Sequence, residues 1–292
     1  MIRRAIALIV VIGAACVLIP ATGAEKSKNP SITVGRVHKS YQPAKGKIFV
    51  LVIGSDARGG NPNARADAIH IAGINTRTMR GGILNFPRDS YVNIPGHGSG
   101  KINEALSVGG PELLARTLED ITKIRIDYYV LVGFEGFQKI IDGVGDVTMT
   151  LPGPVNDPGG SGAHLPAGEV RMGPKSALAY VRTRKAFSGG DVTRSTNQAR
   201  FLIALLRKLR GQIDRNPAEL LKWIAVTRRH TRLDISPKEL FRLGILTSQV
   251  SPSKVRSVTV PVSLGSVGAA SVVFIQSGAH TIYARFRKNG SL

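Results

Sequence analysis

Three observations predict that most of this chain is one large α/β domain. About 245 of the 292 residues follow an N-terminal apolar run and a polar connector, a length that suits a single domain. Three apolar runs, at residues 48–54 (IFVLVIG), 68–75 (AIHIAGIN) and 82–86 (GILNF), read as buried strands, each closed by a Gly, Asn or Pro signal. Beyond them, apolar residues recur at helical spacing in several segments, interrupted by one further strand. The connector at 75–78 (NTRT) is short, which favours an antiparallel meander for the first three strands. In a meander, the end of the first strand, the start of the second and the end of the third lie along one edge.

Ahead of the domain, residues 5–24 carry no charge and follow Arg3 and Arg4, long enough to cross a bilayer as a single helix with the arginines inside. Thr22-Gly23-Ala24 offers an alternative, a signal-peptidase site that leaves a secreted protein. Lipidation at Cys16 is disfavoured by Gly13 and by the apolar residues beyond the cysteine. We therefore expect residues 1–24 to be a transmembrane anchor or signal peptide, 25–46 a Lys/Pro/Ser-rich stalk, and 47–292 an extracytoplasmic domain.

Within the domain, residues 111–121 read as a helix (Leu113, Leu114, Leu118, Ile121), 128–132 as a strand, and 134–144 as a helix packed by Phe137, Ile140 and Ile141. A Pro/Gly loop at 151–167 leads to a short helix at 175–179 and a strand at 180–184. Asp191 is a candidate N-cap for a helix running to about Arg210, with Phe201, Leu202, Leu205, Leu206 and Leu209 on its apolar face. Pro217 and Pro237 open two more helices, and 255–262 and 271–275 read as closing strands.

Composition narrows the partners. Lys and Arg number 40 against 19 Asp and Glu, a formal charge of +21, so the domain meets polyanions. An exported domain with 5% aromatic residues is a poor single-stranded nucleic-acid platform. Wall polymers, phospholipid headgroups and pyrophosphates are the anions that remain. The one cysteine excludes a disulfide framework and a cysteine zinc site.

Polar clusters follow the three strand ends that share an edge: Ser55-Asp56-Ala57-Arg58, Arg65-Ala66-Asp67 and Pro87-Arg88-Asp89. Taken singly, Asp56/Arg58 and Arg65/Asp67 are most simply surface ion pairs. Gathered at one edge, carboxylates and arginines suit a hydrated Mg²⁺ bound with a pyrophosphate, because Mg²⁺ takes one or two carboxylates and completes its shell with phosphate oxygens and water. Arg182 and Arg184 alternate on the expected strand, and Arg194 and Gln198 share a helix face, adding donors suited to a transferring phosphoryl group. Residues 96–101 (GHGSGK) fail as a phosphate loop, since Pro95 stands where the first glycine belongs and Ile102 where a hydroxyl would hold Mg²⁺; they read as a turn. No HExxH or GxSxG pattern is present.

Together, IGSDAR, RAD, FPRDS with YVNIPG after it, KIN, DYYVLVGFEGFQKIIDGVG, ALAYVRTR and DVTRSTNQARFL resemble the LytR-CpsA-Psr family of cell-wall ligases over about residues 47–210. The resemblance implies a mixed central β-sheet sandwiched by helices, with a hydrophobic tunnel for a polyprenyl tail and an arginine-rich mouth for its pyrophosphate. It implies a membrane-anchored, Mg²⁺-dependent transferase moving a glycopolymer from a polyprenyl-pyrophosphate carrier to a peptidoglycan hydroxyl. Matched motif by motif, Asp56 and Asp67 would hold the metal, and Arg88 would stand nearest the chemistry with Asp89 as base or as its support. Arg58, Arg65, Arg182, Arg184, Arg194 and Gln198 would surround the pyrophosphate. The chain departs from the family pattern at Ala66 and Ala68, which lose hydroxyls, at Asp146, and at Asn197 and Ala199, where Asn197 removes a cation. A non-catalytic polyprenyl-pyrophosphate-binding scaffold and an extracytoplasmic pyrophosphatase are the competing functions.

Overall fold

The computed structural model describes residues 31–38, 46–56, 65–187, 189–229 and 231–292. Four strands open it, β1 (Ile32–Arg36), β2 (Lys47–Ser55), β3 (Ala66–Asn75) and β4 (Arg80–Asn85). A hairpin of β5 (Tyr91–Ile94) and β6 (Gly98–Lys101) leads into α1 (Glu104–Thr122), β7 (Tyr128–Gly133) and α2 (Phe134–Val144). Short strands β8 (Val147–Leu151), β9 (Val155–Asp157), β10 (Ala163–Leu165) and β11 (Gly168–Met172) precede α3 (Pro174–Arg182) and α4 (Gly190–Arg215). The chain ends with α5 (Glu219–Arg229), β12 (Thr231–Leu233), α6 (Pro237–Gln249), β13 (Val255–Thr259), β14 (Val262–Val267), β15 (Ala270–Ile275) and α7 (Ala279–Asn289).

Seven strands form the central sheet in the order β12-β1-β7-β2-β3-β4-β13. Its centre is the antiparallel meander β2-β3-β4, as the short connector requires. β7 inserts parallel to β2 and antiparallel to β1, while β12 and β13 add parallel edges, so the sheet is mixed. Strand alternation divides the apolar residues between two faces. Phe49, Leu51, Ile53, Ile69, Ile71 and Leu84 pack with α1 and α7 in the main core. Val50, Val130 and Val132 face the other way, toward α2 and α6. Helices therefore cover both faces.

Several expectations need correction. Residues 32–36, assigned to the stalk, are β1: Ile32 and Val34 alternate inward, packed with Ile48, Tyr128 and Ile235. Residues 180–184 are no strand. Pro174 starts α3 at its first turn, Ala177 and Tyr180 bury one face at helical spacing, and Thr183 Oγ1 donates to the Ala179 carbonyl at 2.9 Å, so the helix runs through Arg182. The 151–167 loop contains β9 and β10. The run at 255–262 breaks after Thr259, just ahead of Pro261, which lacks the N–H a continuing strand needs; β13 joins the sheet and β14 pairs with β15 in a separate hairpin. Residues 96–101 form the turn and second strand of the β5–β6 hairpin. Among the described residues no helix is long and apolar enough to cross a membrane, and the expected anchor at 1–24 lies outside them.

Candidate active site

β2 and β3 hold one register from Lys47↔Asn75 to Gly54↔Ala68, then slip so that Ser55 faces Ala66. Asp67 is the extra residue of this bulge, a distortion that re-aims a side chain at the end of a ladder. β4 ends at Asn85, and Phe86-Pro87 carry Arg88 to the same edge. There Arg88 Nη1 donates to Asp67 Oδ1, and its Nε stands 3.8 Å from Asp89 Oδ2 and 3.7 Å from Asp191 Oδ1. The Arg88 backbone N–H donates to Asp191 Oδ2 at 3.0 Å. Burial alone would lower the guanidinium's pKa; the three carboxylates outweigh it and hold the pKa above its ordinary value. Asp89 is also paired with Lys101 Nζ on β6, at 3.0 Å.

Helix α4 brings the remaining groups. Gly189 occupies the N-cap and Asp191 lies inside the first turn, so the capping expectation gives way to a different role. Its carboxylate is 8% exposed and joins Arg88 to Arg194. Burial, together with repulsion from Arg88 and Arg184, lowers the Arg194 pKa despite the attraction of Asp191 and Asp67. Arg194 Nη2 and Gln198 Nε2 each donate to the Asp67 carbonyl at 3.4 Å, and Gln198 Nε2 also to the Val181 carbonyl at 3.0 Å. Arg182, at the end of α3, lies 4.7 Å over the Phe134 ring as a cation–π pair. Arg184, in the loop after α3, is exposed and does not line the cavity as Arg182 does, so the two arginines sit at a helix end and in a loop and not on one strand face.

Asp56 and Arg65 meet through the backbone: the Arg65 N–H donates to Asp56 Oδ1 at 2.8 Å, and the Arg65 side chain is exposed. Arg58 lies outside the described residues. Asn197 is buried and accepts from Arg200 Nη1 at 3.2 Å, and it is not among the residues that line the adjoining cavity.

From this mouth a cavity of about 420 Å³ runs between the sheet and α2, α3 and α4, walled by Val52, Val130, Phe137, Ile140, Phe201 and Leu205. Sequence reasoning missed His70, which lines it. Alternation along β3 puts His70 on the face of Ala68, opposite Ile69 and Ile71, and that was its available signal. His70 Nδ1 bonds Asn85 Oδ1 at 2.9 Å, and burial pushes the imidazole down to about 4, so it is neutral at physiological pH. Lys101 was also missed, because its approach to Asp89 depends on the β5–β6 hairpin.

The donor chemistry fits a hard divalent cation. Asp56 and Asp67 end adjacent strands, and the buried Asp191 Oδ1 is ion-paired yet accepts no aligned hydrogen bond. Among the described residues no group of three or more His, Cys, Asp or Glu converges as a metal cage. One or two carboxylates with water and phosphate oxygens is the arrangement Mg²⁺ commonly takes.

Comparison with known proteins extends the geometry. The LytR_cpsA_psr family model matches residues 17–289. Probable cell wall biosynthesis protein LcpB of Corynebacterium glutamicum is 39% identical over 170 residues, covering 53% of this chain and 40% of LcpB. The polyisoprenyl-teichoic acid–peptidoglycan teichoic acid transferase TagU of Oceanobacillus iheyensis is 35% identical over 170 residues, covering 56% of this chain and 52% of TagU. The chain thus spans about half the length of these two relatives or less. A solved structure of TagT bound to LI-WTA has a TM-score of 0.71 at 26% identity, over 86% of this chain and 93% of that one. A family match running nearly end to end, on a sheet whose Asp and Arg motifs meet at one edge, makes this protein a member of the LytR-CpsA-Psr family.

Proposed function

We propose that this chain transfers a glycopolymer from a polyprenyl-pyrophosphate carrier to a hydroxyl of peptidoglycan, from a domain anchored outside the membrane by residues 1–24. The observation that carries the proposal is the junction of a cationic mouth, with Arg88, Arg194 and Arg182, and an apolar cavity of about 420 Å³. A ligand with a phosphate head and an aliphatic tail matches both halves. TagU, named as a teichoic acid transferase, is a relative with that chemistry.

In this reaction the acceptor oxygen bonds to the phosphorus nearest the sugar, the bridging P–O bond breaks, and polyprenyl phosphate leaves with the electron pair as the acceptor's proton passes to a base. Arg88, fixed by three carboxylates, offers a preorganised cation to the charge developing on the phosphoryl oxygens. Arg194 and Arg182 grip the remaining oxygens, and Arg184 approaches from the rim. Asp56 and Asp67 would hold Mg²⁺, which when bound neutralises phosphate charge as a Lewis acid. The Lys101 ion pair favours Asp89 as the support of Arg88.

The test uses the full chain in neutral detergent with a polyprenyl-pyrophosphate-linked sugar and peptidoglycan fragments, with and without Mg²⁺. Mass spectrometry should detect Mg²⁺-dependent sugar phosphate on the fragments. Arg88→Ala should still unfold in one cooperative transition, at a lower temperature because Asp67 and Asp191 lose a partner, and lose transfer by about 100-fold or more at a temperature where it is folded. Equal turnover by that variant overturns the assignment, and sugar phosphate released only to water would make the protein a pyrophosphatase.

A further inference from the structure

Helix α4 carries a second lined hollow, on a different face and farther along. Gln198, Leu202 and Leu205 face the tunnel, whereas Ala204, Lys208, Gly211 and Arg215 form another stripe at helical spacing. With Arg207 and the β8 residue Thr148, that stripe lines a cleft of about 370 Å³. At 1.5 Å per residue, Lys208 lies about 20 Å along the helix from Arg194, so the cleft is separate from the catalytic mouth.

Its cations, Arg207, Lys208 and Arg215, outnumber the acid that shares the wall, Asp146. Among the described residues no carboxylate forms an ion pair with Arg207, Lys208 or Arg215. Asp146, the acid in the wall, is engaged by Arg171 Nε at 2.8 Å. Lys208 is not a freely solvated surface lysine: its Nζ lies over Gly145, 3.5 Å from where a Cβ would stand. Burial lowers its pKa, and repulsion from Arg171, Lys222 and Arg215 adds to this against the attraction of Asp146. Arg207 and Arg215 are exposed at the edge of the cleft and Lys208 is half-buried beside them, around a hollow that Gly211 leaves open.

We propose that this cleft binds a phosphate ester, with the Lys208 ammonium and the Arg207 and Arg215 guanidiniums as ligands and the Thr148 hydroxyl as a further donor. Guanidiniums match the oxygens of a phosphate in paired fashion, and the hollow has room for the phosphate with a small polar substituent. A phospholipid headgroup and a phosphate carried by a soluble polymer share this chemistry.

The experiment follows the Lys208 signal of the full chain after ¹³C reductive methylation of its lysines, assigned by its loss in Lys208→Gln. In neutral detergent, glycerol phosphate should shift that signal saturably, and Arg207→Gln/Arg215→Gln should weaken the response at least tenfold while leaving the melting curve unchanged. The same protein in phosphatidylglycerol nanodiscs and in phosphatidylcholine nanodiscs identifies the source. A shift in phosphatidylglycerol discs without added ligand assigns the cleft to headgroups, and a shift only with glycerol phosphate assigns it to soluble esters; either supports the proposal. No shift under any condition, or an equal shift in the double arginine variant, overturns it. Neither result depends on Arg88 or on the transfer reaction.

Discussion

The meeting of Arg88 and Asp67 was legible because one follows the end of β4 and the other lies at the start of β3 in a short-looped meander, where the two must share an edge. Asp191 was legible only as a candidate cap, since local propensity cannot show that α4 starts beside a residue 103 positions earlier in the chain. Asp127 shows the same dependence on distant neighbours. Its Oδ2 accepts the Phe49 N–H at 2.7 Å, and burial pushes the carboxyl up to about 6, against that hydrogen bond. A carboxyl with a raised folded pKa binds its proton more tightly in the native state. Its stabilising contribution is therefore present below about pH 4 and is lost as pH rises to about 6. Asp127→Asn keeps an acceptor for Phe49 and removes the titration. Urea unfolding should show the variant gaining about 1–3 kcal/mol on wild type between pH 4 and pH 7; parallel pH profiles would contradict this.

Helix α2 shows how closely the site's wall is fitted. An added Cβ at Gly136 would meet the Ser31 carbonyl and stand 2.6 Å from Ile32 Cγ1, so only glycine lets the helix settle against the start of β1. Phe137 and Ile140 on the same helix wall the cavity. Gly136→Ala should cost about 1–3 kcal/mol, read as a lower melting temperature, with polyprenyl substrate binding weakened alongside. An unchanged melt would show that α2 can shift freely. The helix itself was legible from its 3.6-residue pattern. The strand expected at 180–184 failed because the alternation of Arg182 and Arg184 is a short-range signal, whereas a strand needs a partner. Here Pro174, the buried Ala177 and Tyr180 and the Thr183 hydroxyl continue the helix instead.

The cavity belongs to no single element: β2, β3 and β7 supply its floor, and α2, α3 and α4 its sides. Leu205→Trp should therefore obstruct long tails specifically. Turnover of a long polyprenyl-pyrophosphate substrate should fall at least tenfold, while a short-chain analogue that reaches only the arginine mouth keeps nearly wild-type rates. Equal losses on both substrates would mean that the side chain acts through the mouth. Read without its fold, the chain already disclosed the meander, the long α4 helix, the basic charge and the shared edge where Asp67 and Arg88 meet, because periodicity and turn chemistry act over a few neighbours. Folding alone decided the insertion of β7 beside β2, the recruitment of residues 32–36 into the sheet, the bulge that turns Asp67, and the placing of Asp191 and His70. These depend on register and packing between segments far apart in the chain, where the free energy comes from burying surfaces that no local pattern identifies as partners.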